Sequence, residues 1–538
     1  MKRRIVVILL ALTMVFSLVA CGGGGDAGSG GTSGGTQQSG GGSGGGSSSG
    51  GSGGGAASGG SAAKVEITAA FSVVANGLCP ITEDINTTIS LANHFYDRLV
   101  ELDVDFNWIP GVAKTWKQVD DFNWEFEINT DCVFQNGDKL TMDDVIYSIK
   151  RLADQPKSQD VGTLVDSVTA NGNILTIKLK EHNNSIMPRL LDFSFIVNKA
   201  YMEADTSANK DSQFLKPIGT GPYKVTDFIP GTSIILETWE GYPFEKPQID
   251  KITITPIPEN MNRYAAVESG QMQYAGLVSA MEADLATKNN DLILYEGKSN
   301  FVIPFGFNCE KAPFDNVNIR RAIIHALDLD SIAKLNGGRN TPRSMLFNGF
   351  DNVYVPSPNF PEFNLDKARE LLEAEGYTPA NPLKMETLYF RPDPGIEYFQ
   401  SDLKKVGVDL VTNQVEFSVF LTMEGPGQFD GLWTSNPNRG GTWLTDLDRF
   451  DYDNFLGMRN LARWRDQRAQ DIIAEMRTVT DQQKLKTLST ELNGIIGQQV
   501  PIVGVFFMPI LSVMTDKLTG VEIKPNMQQS FRNAVYNG

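Results

Sequence analysis

The sequence predicts an α/β protein with layered sheets and at least two lobes. Strand-like and helix-like patterns alternate along most of the chain, and this alternation is typical of α/β folds. The patterned part runs from Lys64 to Gly538, which is longer than one hydrophobic core usually supports. Residues 1–63 differ in composition from this patterned part of the chain.

Several short segments alternate apolar and polar residues, and each is expected to be a strand. They are 123–128 (NWEFEI), 174–179 (ILTIKL), 232–239 (TSIILETW) and 251–257 (KITITPI). A period of two places alternate side chains on one buried face. In 133–140 (VFQNGDKL), the Asn-Gly pair predicts the turn of a hairpin.

Other segments place apolar residues three or four positions apart, which predicts amphipathic helices. Segment 142–153 (MDDVIYSIKRLA) has such a stripe. Segment 364–377 (NLDKARELLEAEGY) offers Asn364 as the N-cap and Gly376 as the residue that ends the helix. Segment 471–499 is expected to form two helices, and the sequence contains no internal repeat.

The first 20 residues have the pattern of a secretory signal peptide. The basic residues 2–4 (KRR) precede the apolar run 5–20, which is shorter than the roughly 20 residues of a membrane-spanning helix. The run ends in 18–21 (LVAC), which resembles the lipobox of bacterial lipoproteins. The resemblance implies that Cys21 is acylated and becomes the new N-terminus, anchored in the membrane. An ordinary signal peptide followed by a chance cysteine is the alternative.

Residues 22–63 are almost entirely Gly and Ser, and such a segment is expected to act as a flexible tether. We therefore predict a signal peptide at 1–20 and a lipidated cysteine with its tether at 21–63. The body from residue 64 onward is expected at the cell surface, on the outer face of the cytoplasmic membrane. In a Gram-negative cell this would be the periplasmic side.

Composition excludes several partners and cofactors. A net charge of −17 argues against nucleic acid as a partner.

One disulfide is possible among Cys79, Cys132 and Cys309, and one thiol is then left unpaired. The pair Cys79–Cys132 is favoured. The three histidines are separated from one another and from the cysteines, so neither a metal site nor another cofactor is expected.

Seven segments resemble, in order, the motifs of one protein family. They are 93–116, 124–152, 219–242 with its GTGPY, 257–275, 305–333, 364–377 and 403–410. Together they are similar to the bacterial extracellular solute-binding proteins of family 5. That family includes the oligopeptide-, dipeptide- and nickel-binding components of ABC importers.

The resemblance implies a two-lobed fold like that of the periplasmic binding proteins, of type II and similar to cluster C. This fold has mixed sheets and a hinge that the chain crosses twice. The crossings are expected near 300–308 and 501–508. The implied division is lobe I with an extra subdomain at 64–300, lobe II at 301–505, and a return to lobe I at 506–538.

The resemblance also implies a function without chemistry. The protein would capture a small solute, by default an oligopeptide, and deliver it as a monomer to an ABC permease driven by a separate ATPase subunit. Two alternatives keep the same fold. One is a surface receptor for a signalling peptide, and the other is a binder of a non-peptide anionic or sugar solute.

The segment 430–450 is the expected ligand loop, because it resembles the family pattern G-W-x-x-D-x-x-D-P-D-N-F. Trp433 stands at the family tryptophan, but 435–441 (SNPNRGG) replaces the acidic run. Asn438 or Arg439 then lies near the aspartate that pairs with a peptide ammonium in relatives. An arginine instead pairs well with a carboxylate or phosphate. Asp446 or Asp448 would supply the anion only if the loop is rearranged.

The predicted ligand contacts are Trp433, Ser435, Asn436, Asn438, Arg439, Asn308 and Trp443. For several of them a structural role is the alternative. The two tryptophans could pack in the core, Arg439 could be solvated, and Asn308 could cap a loop. GTGPY is either a ligand loop or a turn that needs glycine at positive φ.

An enzymatic function is the remote alternative. Ser331 and Lys334 match the S-x-x-K motif of serine acyl-transferases that act outside the membrane. The companion motifs S-D-N and K-T-G do not occur in the sequence. Both residues also lie near the end of a predicted helix, where this spacing arises easily.

Overall fold

The computed structural model describes residues 64–81, 86–105, 107–154, 159–206, 212–297, 299–337, 357, 359–437, 443–452 and 460–538. The predictions of a signal peptide, of acylated Cys21 and of a Gly/Ser tether therefore lie outside the described residues. Within the described ranges, none of the helices is both long enough and apolar enough to cross a membrane.

The strands are numbered in chain order. They are β1 (Glu66–Phe71), β2 (Val100–Leu102), β3 (Trp108–Pro110), β4 (Ala113–Gln118), β5 (Asn123–Ile128), β6 (Val165–Asn171), β7 (Ile174–Leu179), β8 (Tyr223–Ile229), β9 (Ser233–Thr238), β10 (Lys251–Pro256), β11 (Tyr274–Ala275), β12 (Leu292–Gly297), β13 (Phe301–Phe307), β14 (Leu383–Tyr389), β15 (Val408–Gln414), β16 (Gly431–Trp433), β17 (Asn436–Pro437), β18 (Ile502–Phe507), β19 (Ile510–Thr515), β20 (Leu518–Thr519), β21 (Glu522–Ile523), β22 (Gln529–Ser530) and β23 (Val535–Tyr536).

The helices are numbered in the same way. They are α1 (Asn86–Phe95), α2 (Met142–Ala153), α3 (Gln159–Leu164), α4 (Ile186–Phe193), α5 (Lys199–Glu203), α6 (Asn260–Glu268), α7 (Ala280–Ala286), α8 (Val317–His325), α9 (Leu329–Leu335), α10 (Leu365–Ala374), α11 (Pro394–Lys405), α12 (Phe417–Glu424), α13 (Trp443–Leu447), α14 (Gln467–Met476) and α15 (Gln482–Gln499).

Two mixed sheets organise the body. A seven-stranded sheet has the order β12-β19-β11-β1-β10-β9-β8, and we call the part of the chain built on it lobe I. A six-stranded sheet has the order β15-β14-β16-β13-β17, with β18 also paired to β13, and we call the part built on it lobe II. Each sheet contains both parallel and antiparallel pairs. The predicted α/β class with mixed sheets is confirmed.

The chain passes between the lobes twice. It leaves the sheet of lobe I after Gly297 and enters the sheet of lobe II at Phe301. It returns between Phe507 and Ile510. The crossings are predicted near 300–308 and 501–508, and the links lie at one end of each segment. Most of each segment is a lobe II strand, β13 or β18, and these two strands pair with each other.

A four-stranded antiparallel sheet of order β4-β5-β7-β6 lies between β1 and β8 in the sequence, and we call it the subdomain. Its inner face, with Phe126, Leu175 and Ile177, belongs to the same hydrophobic core as lobe I. Gln135 also joins the two parts, because its amide Nε2 donates to the carbonyls of Phe95, Gly221 and Tyr223 at 2.7–3.2 Å.

The local sequence signals are mostly confirmed. The predicted strand 123–128 and helix 142–153 match β5 and α2 residue for residue. Asn364 caps α10 by accepting from the Lys367 amide, and Gly376 follows that helix at φ 87°. Segment 133–140 forms only an isolated bridge around its turn, between Val133 and Lys139, rather than a full hairpin.

The predicted disulfide is wrong. Cys79, Cys132 and Cys309 are all free thiols, and the first two are buried in the same hydrophobic core without being bonded to each other. Burial raises the pKa of Cys132 to about 12 and the pKa of Cys309 to about 11, so neither thiol ionises readily.

Candidate functional site

The strand directions place one edge of each sheet toward the crossings. In lobe II, β14 and β16 are parallel and β13 is antiparallel to β16, so the carboxyl ends of β14 and β16 lie beside the start of β13 at Phe301. In lobe I, the carboxyl ends of β1 and β11 lie beside the start of β19 at Ile510. Ligands of open α/β sheets bind outside the carboxyl ends of strands. The candidate site is therefore the cleft between these two edges.

Trp433 ends β16 at this edge, but its side chain is 3% exposed. Its ring packs against Phe305 and Phe399, with centroids 6.1 and 6.2 Å away. Its indole N–H donates to Asp393 Oδ2 at 2.9 Å. In this conformation Trp433 thus fixes the segment that connects β14 to α11. Its predicted contact with a ligand stays a prediction.

The predicted residues that follow Trp433 stay at the same edge. Ser435 is half-buried, and Asn436 begins β17, whose pairing partner is the start of β13. Residues 436 and 302 are opposite each other in this register, next to the first crossing. Asn438 and Arg439 lie outside the described residues, so the predicted arginine contact stays a prediction.

Trp443 lies in α13 and packs into a second core cluster of lobe II, together with Leu444 and Leu447. Two buried aspartates that follow it pair with arginines of the same lobe. Asp446 is 3.2 Å from Arg449, and Asp448 is 2.9 Å from Arg477. Neither carboxylate therefore offers an uncommitted charge to a ligand ammonium.

Asn308 does not lie with the other predicted contacts. It follows the carboxyl end of β13, opposite to the end that starts at the crossing. Its amide Nδ2 donates to the carbonyls of Gly427 and Phe429 at 2.9 and 3.3 Å. Asn308 therefore stabilises the loop that precedes β16.

Arg391 is a candidate that the sequence reasoning missed. It follows β14 at the cleft edge and is solvent-exposed, yet surrounding atoms desolvate its guanidinium and lower its pKa. Nη1 contacts Met508 Sδ at 3.8 Å, in the second link between the lobes. Within the described residues, no carboxylate forms an ion pair with it. The Asp393 carboxylate offsets part of this desolvation without forming an ion pair. A partly desolvated arginine with no ion-pair partner among the described residues is suited to bind an anion.

The position of Arg391 in the sequence carried a usable signal. It follows a strand that pairs in parallel and precedes Asp393, which caps α11. A basic residue at the carboxyl end of a parallel strand is a candidate ligand contact. The signal depends on recognising a strand at 383–389, which is not among the segments predicted from their alternating pattern to be strands.

The cleft edge of lobe I is organised by a buried arginine. Arg263 in α6 is 1% exposed, and its guanidinium donates to the carbonyls of Ile257, Pro258, Gly276 and Leu277 at 2.6–3.1 Å. These carbonyls follow β10 and β11, so one side chain holds both strand ends together. Burial lowers the pKa of Arg263, and the charges of Glu282 and Glu259 offset part of this effect.

GTGPY is a packing motif rather than a turn with left-handed glycines. Gly219 and Gly221 do not have positive φ. A Cβ on either residue would collide with the backbone of α1, at the carbonyls of Phe95 and His94. The threonine between them donates to Asp97 Oδ2 at 2.8 Å. The predicted reason for the glycines is thus corrected, because close approach requires them.

The S-x-x-K pair lies on α9. Ser331 is near the helix start, where its backbone N–H donates to the cap Asp328 at 3.1 Å, and Lys334 is exposed. Within the described part of the chain, no group of three or more His, Cys, Asp or Glu is placed to hold a metal ion.

Comparisons with known proteins agree with this geometry. Residues 107–460 match the model of the bacterial extracellular solute-binding proteins, family 5 Middle. The nickel-binding protein NikA of Staphylococcus aureus is 25% identical over 435 residues, which cover 77% of this chain and 83% of that protein. The dipeptide-binding protein DppE of Bacillus subtilis is 23% identical over 470 residues, which cover 80% and 85%.

The fold is that of a solved relative. The dipeptide-binding protein of Pseudoalteromonas sp. SM9913, in complex with Met-Leu, superposes with a TM-score of 0.77 at 20% identity. The superposition covers 88% of this chain and all of that one. The two-lobed periplasmic-binding-protein fold predicted above is confirmed. This chain belongs to the bacterial extracellular solute-binding proteins of family 5.

Proposed function

We propose that this ABC-transporter solute-binding protein captures an oligopeptide and holds the peptide's C-terminal carboxylate on Arg391. The family function is binding for ABC import, without chemistry, and its members differ in solute. The observation that carries the finer proposal is the guanidinium of Arg391. It is partly desolvated at the cleft edge and forms no ion pair with a described residue.

The surroundings of Arg391 suit a carboxylate and an adjoining side chain. Its guanidinium carbon is 5.7 Å from the centroid of the Phe390 ring, within range of a cation–π contact. The Phe390 ring packs at a tilt against Phe417, which is 46% exposed on α12. A cation beside exposed aromatic surface fits the end of a peptide, with its carboxylate and its last side chain.

A non-peptide anionic solute is the second candidate, and one observation favours it. A bound peptide ammonium needs an anion, but Asp446 and Asp448 already pair with arginines. An anion without an amine would need only Arg391.

We also propose that Cys21 anchors the mature protein by lipid at the outer face of the cytoplasmic membrane. A receptor that presents a signalling peptide would use the same cleft.

The test separates the carboxylate from the rest of the peptide. Trialanine and trialanine C-terminal amide are titrated calorimetrically into the wild type, into Arg391→Gln and into the control Arg369→Gln. Arg369 pairs with Asp366 on the exposed face of α10. We expect Arg391→Gln to weaken binding of the free acid by roughly tenfold to a hundredfold. Binding of the amide should be unchanged, and so should both affinities of the control.

Native mass spectrometry of the purified protein, followed by denaturing release, identifies the solute that is carried. A mixture of short peptides supports the proposal. A single non-peptide anion, together with no calorimetric binding of either trialanine probe, rejects the peptide in favour of the second candidate.

A further inference from the structure

The two lobes meet at a place other than the two links. The backbone N–H of Asn184, in the loop before α4 of the subdomain, donates to the Arg477 carbonyl of lobe II at 2.9 Å. The Asn184 side-chain Nδ2 donates to the Val479 carbonyl at 3.3 Å. Arg477 is the C-cap of α14, and Val479 lies in the turn before α15. Both hydrogen bonds join the subdomain to lobe II.

The chemistry of this contact is complementary. The last carbonyls of a helix have no partner inside the helix and carry the negative end of its dipole. Asn184 brings two N–H donors to this end of α14. The Ile473 and Glu475 carbonyls accept from residues of the same segment. The Arg477 and Val479 carbonyls accept from Asn184 across the two parts, so these two hydrogen bonds exist only while the parts are together.

The orientation of the Asn184 amide is supported from its own loop. Because Nδ2 faces a carbonyl, Oδ1 must face the other way, and it lies 3.3 Å from His182 Nε2. Asn183, the residue before it, is buried, and its Oδ1 accepts from the Ser185 amide at 2.9 Å and from the Ser185 hydroxyl at 2.6 Å. The loop is thus held in shape by its own side chains before it contacts lobe II.

On the lobe II side, the contact is connected to the segment beside the ligand loop. The Arg477 guanidinium binds Asp448 and Asp451 at 2.9 and 2.8 Å. Both aspartates follow α13, which begins directly after the undescribed residues 438–442. One residue therefore accepts the donor from the subdomain and also positions the segment next to the candidate site.

We propose that Asn184 and the carboxyl end of α14 form a closure latch, a positioning contact that fastens the subdomain to lobe II when the cleft is shut. The latch acts on the equilibrium between open and closed lobes rather than by touching the solute. It does not depend on which solute the cleft takes.

Hydrogen exchange with mass spectrometry tests the latch on the purified protein. The rate of backbone amide exchange is measured in segments 181–185 and 477–480. The protein is measured first as purified, and again after unfolding, dialysis and refolding have removed bound solute. Wild type, Asn184→Ala and the control Asn173→Ala are compared. Asn173 is exposed in the turn between β6 and β7. We expect Asn184→Ala to exchange about threefold to tenfold faster than wild type in these segments, as the loss of one hydrogen bond implies.

The control Asn173→Ala should match wild type in both segments. Thermal unfolding of the solute-free protein should be the same for all three, because the latch is closed only with the lobes together. Equal exchange in wild type and Asn184→Ala, or rapid exchange of wild type both with and without solute, would overturn the latch. Failure of the trialanine titration would leave this comparison unaffected, so the two proposals fail separately.

Discussion

The indole N–H of Trp433 and the carboxylate of Asp393 are 40 residues apart and share a 2.9 Å hydrogen bond at the cleft edge of lobe II. Asp393 also accepts from Asn336 Nδ2 and from the Gly395 amide at 2.9 and 2.8 Å. One carboxylate thus ties the end of β16, the end of α9 and the start of α11 together. Arg391 lies two residues before Asp393, whose charge acts on the Arg391 guanidinium, so we expect a displacement of Asp393 to disturb Arg391.

Trp433→Phe should therefore lower both stability and solute affinity. The phenyl ring keeps most of the packing but leaves Asp393 Oδ2 without its donor, which costs about 1–3 kcal/mol. Urea unfolding, monitored by circular dichroism, measures the loss. The control is Trp464→Phe in the second core cluster of lobe II, away from Asp393. If Trp464→Phe alone weakened the binding of trialanine, the link from Trp433 to Arg391 would be wrong.

Stability should fall as the pH drops below neutral, because His94 is buried in the neutral form. Burial lowers its pKa from 6.5 to about 4, and its Nε2 accepts from the Phe531 amide at 3.0 Å. In the unfolded chain His94 is protonated below about pH 6.5, whereas in the folded chain it is protonated only below about pH 4. Folding free energy is therefore lost across that interval, by roughly 3 kcal/mol in total.

Urea unfolding at several pH values between 7 and 4 measures this dependence. His94→Gln keeps an acceptor for the Phe531 amide but cannot titrate, so its curve should be flatter than that of the wild type by the His94 contribution. Parallel curves for the two proteins would show that His94 is protonated without penalty in the fold.

Glu424 should produce a dependence of the opposite sign. Burial raises its pKa from 4.5 to about 8, so it is protonated in the folded protein at neutral pH. The folded chain then binds a proton that the unfolded chain has released, and stability falls as the pH rises from about 4.5 to 8. Glu424→Gln should be more stable than the wild type at pH 9. The exposed control Glu397→Gln should show no such gain.

Local chemistry could be predicted from the sequence, and contacts between distant segments could not. The Asn364 cap and the Gly376 terminus depend on neighbours within one helix, so their pattern is visible in ten residues. Trp433 was expected at the ligand, yet its partner Asp393 comes from another strand connection. The donors of Asn184 reach carbonyls that are about 290 residues away, and no periodicity records such a pairing.

The GTGPY glycines can be recognised in the sequence, but the physical reason for them cannot. The motif is recognisable as a string, but the reason for its glycines is the backbone of α1, which passes against them. A turn and a close approach need the same residue type, so the sequence could not distinguish the two. Arg391 is the intermediate case, because the rule on strand ends would have found it once β14 was known.

Gly337→Ala should open the cleft, and it has a matched control on another helix. Gly337 follows α9 of lobe II at φ 69°, and a Cβ there would lie 2.6 Å from the Cβ of Ala280 in lobe I. Gly376 follows α10 at φ 87°, and a Cβ there would meet nothing within 4 Å. Both substitutions place alanine in a left-handed conformation, with a similar cost of about 1 kcal/mol.

Only Gly337→Ala also inserts a methyl group between the lobes. It should therefore increase the radius of gyration measured by small-angle scattering, and it should weaken the binding of trialanine, whereas Gly376→Ala should change neither. Equal radii of gyration for the two variants would mean that Gly337 and Ala280 are already separated in solution, so that the added methyl group meets no obstacle. In that case the hydrogen bonds of Asn184, and not the packing beside the links, would control closure.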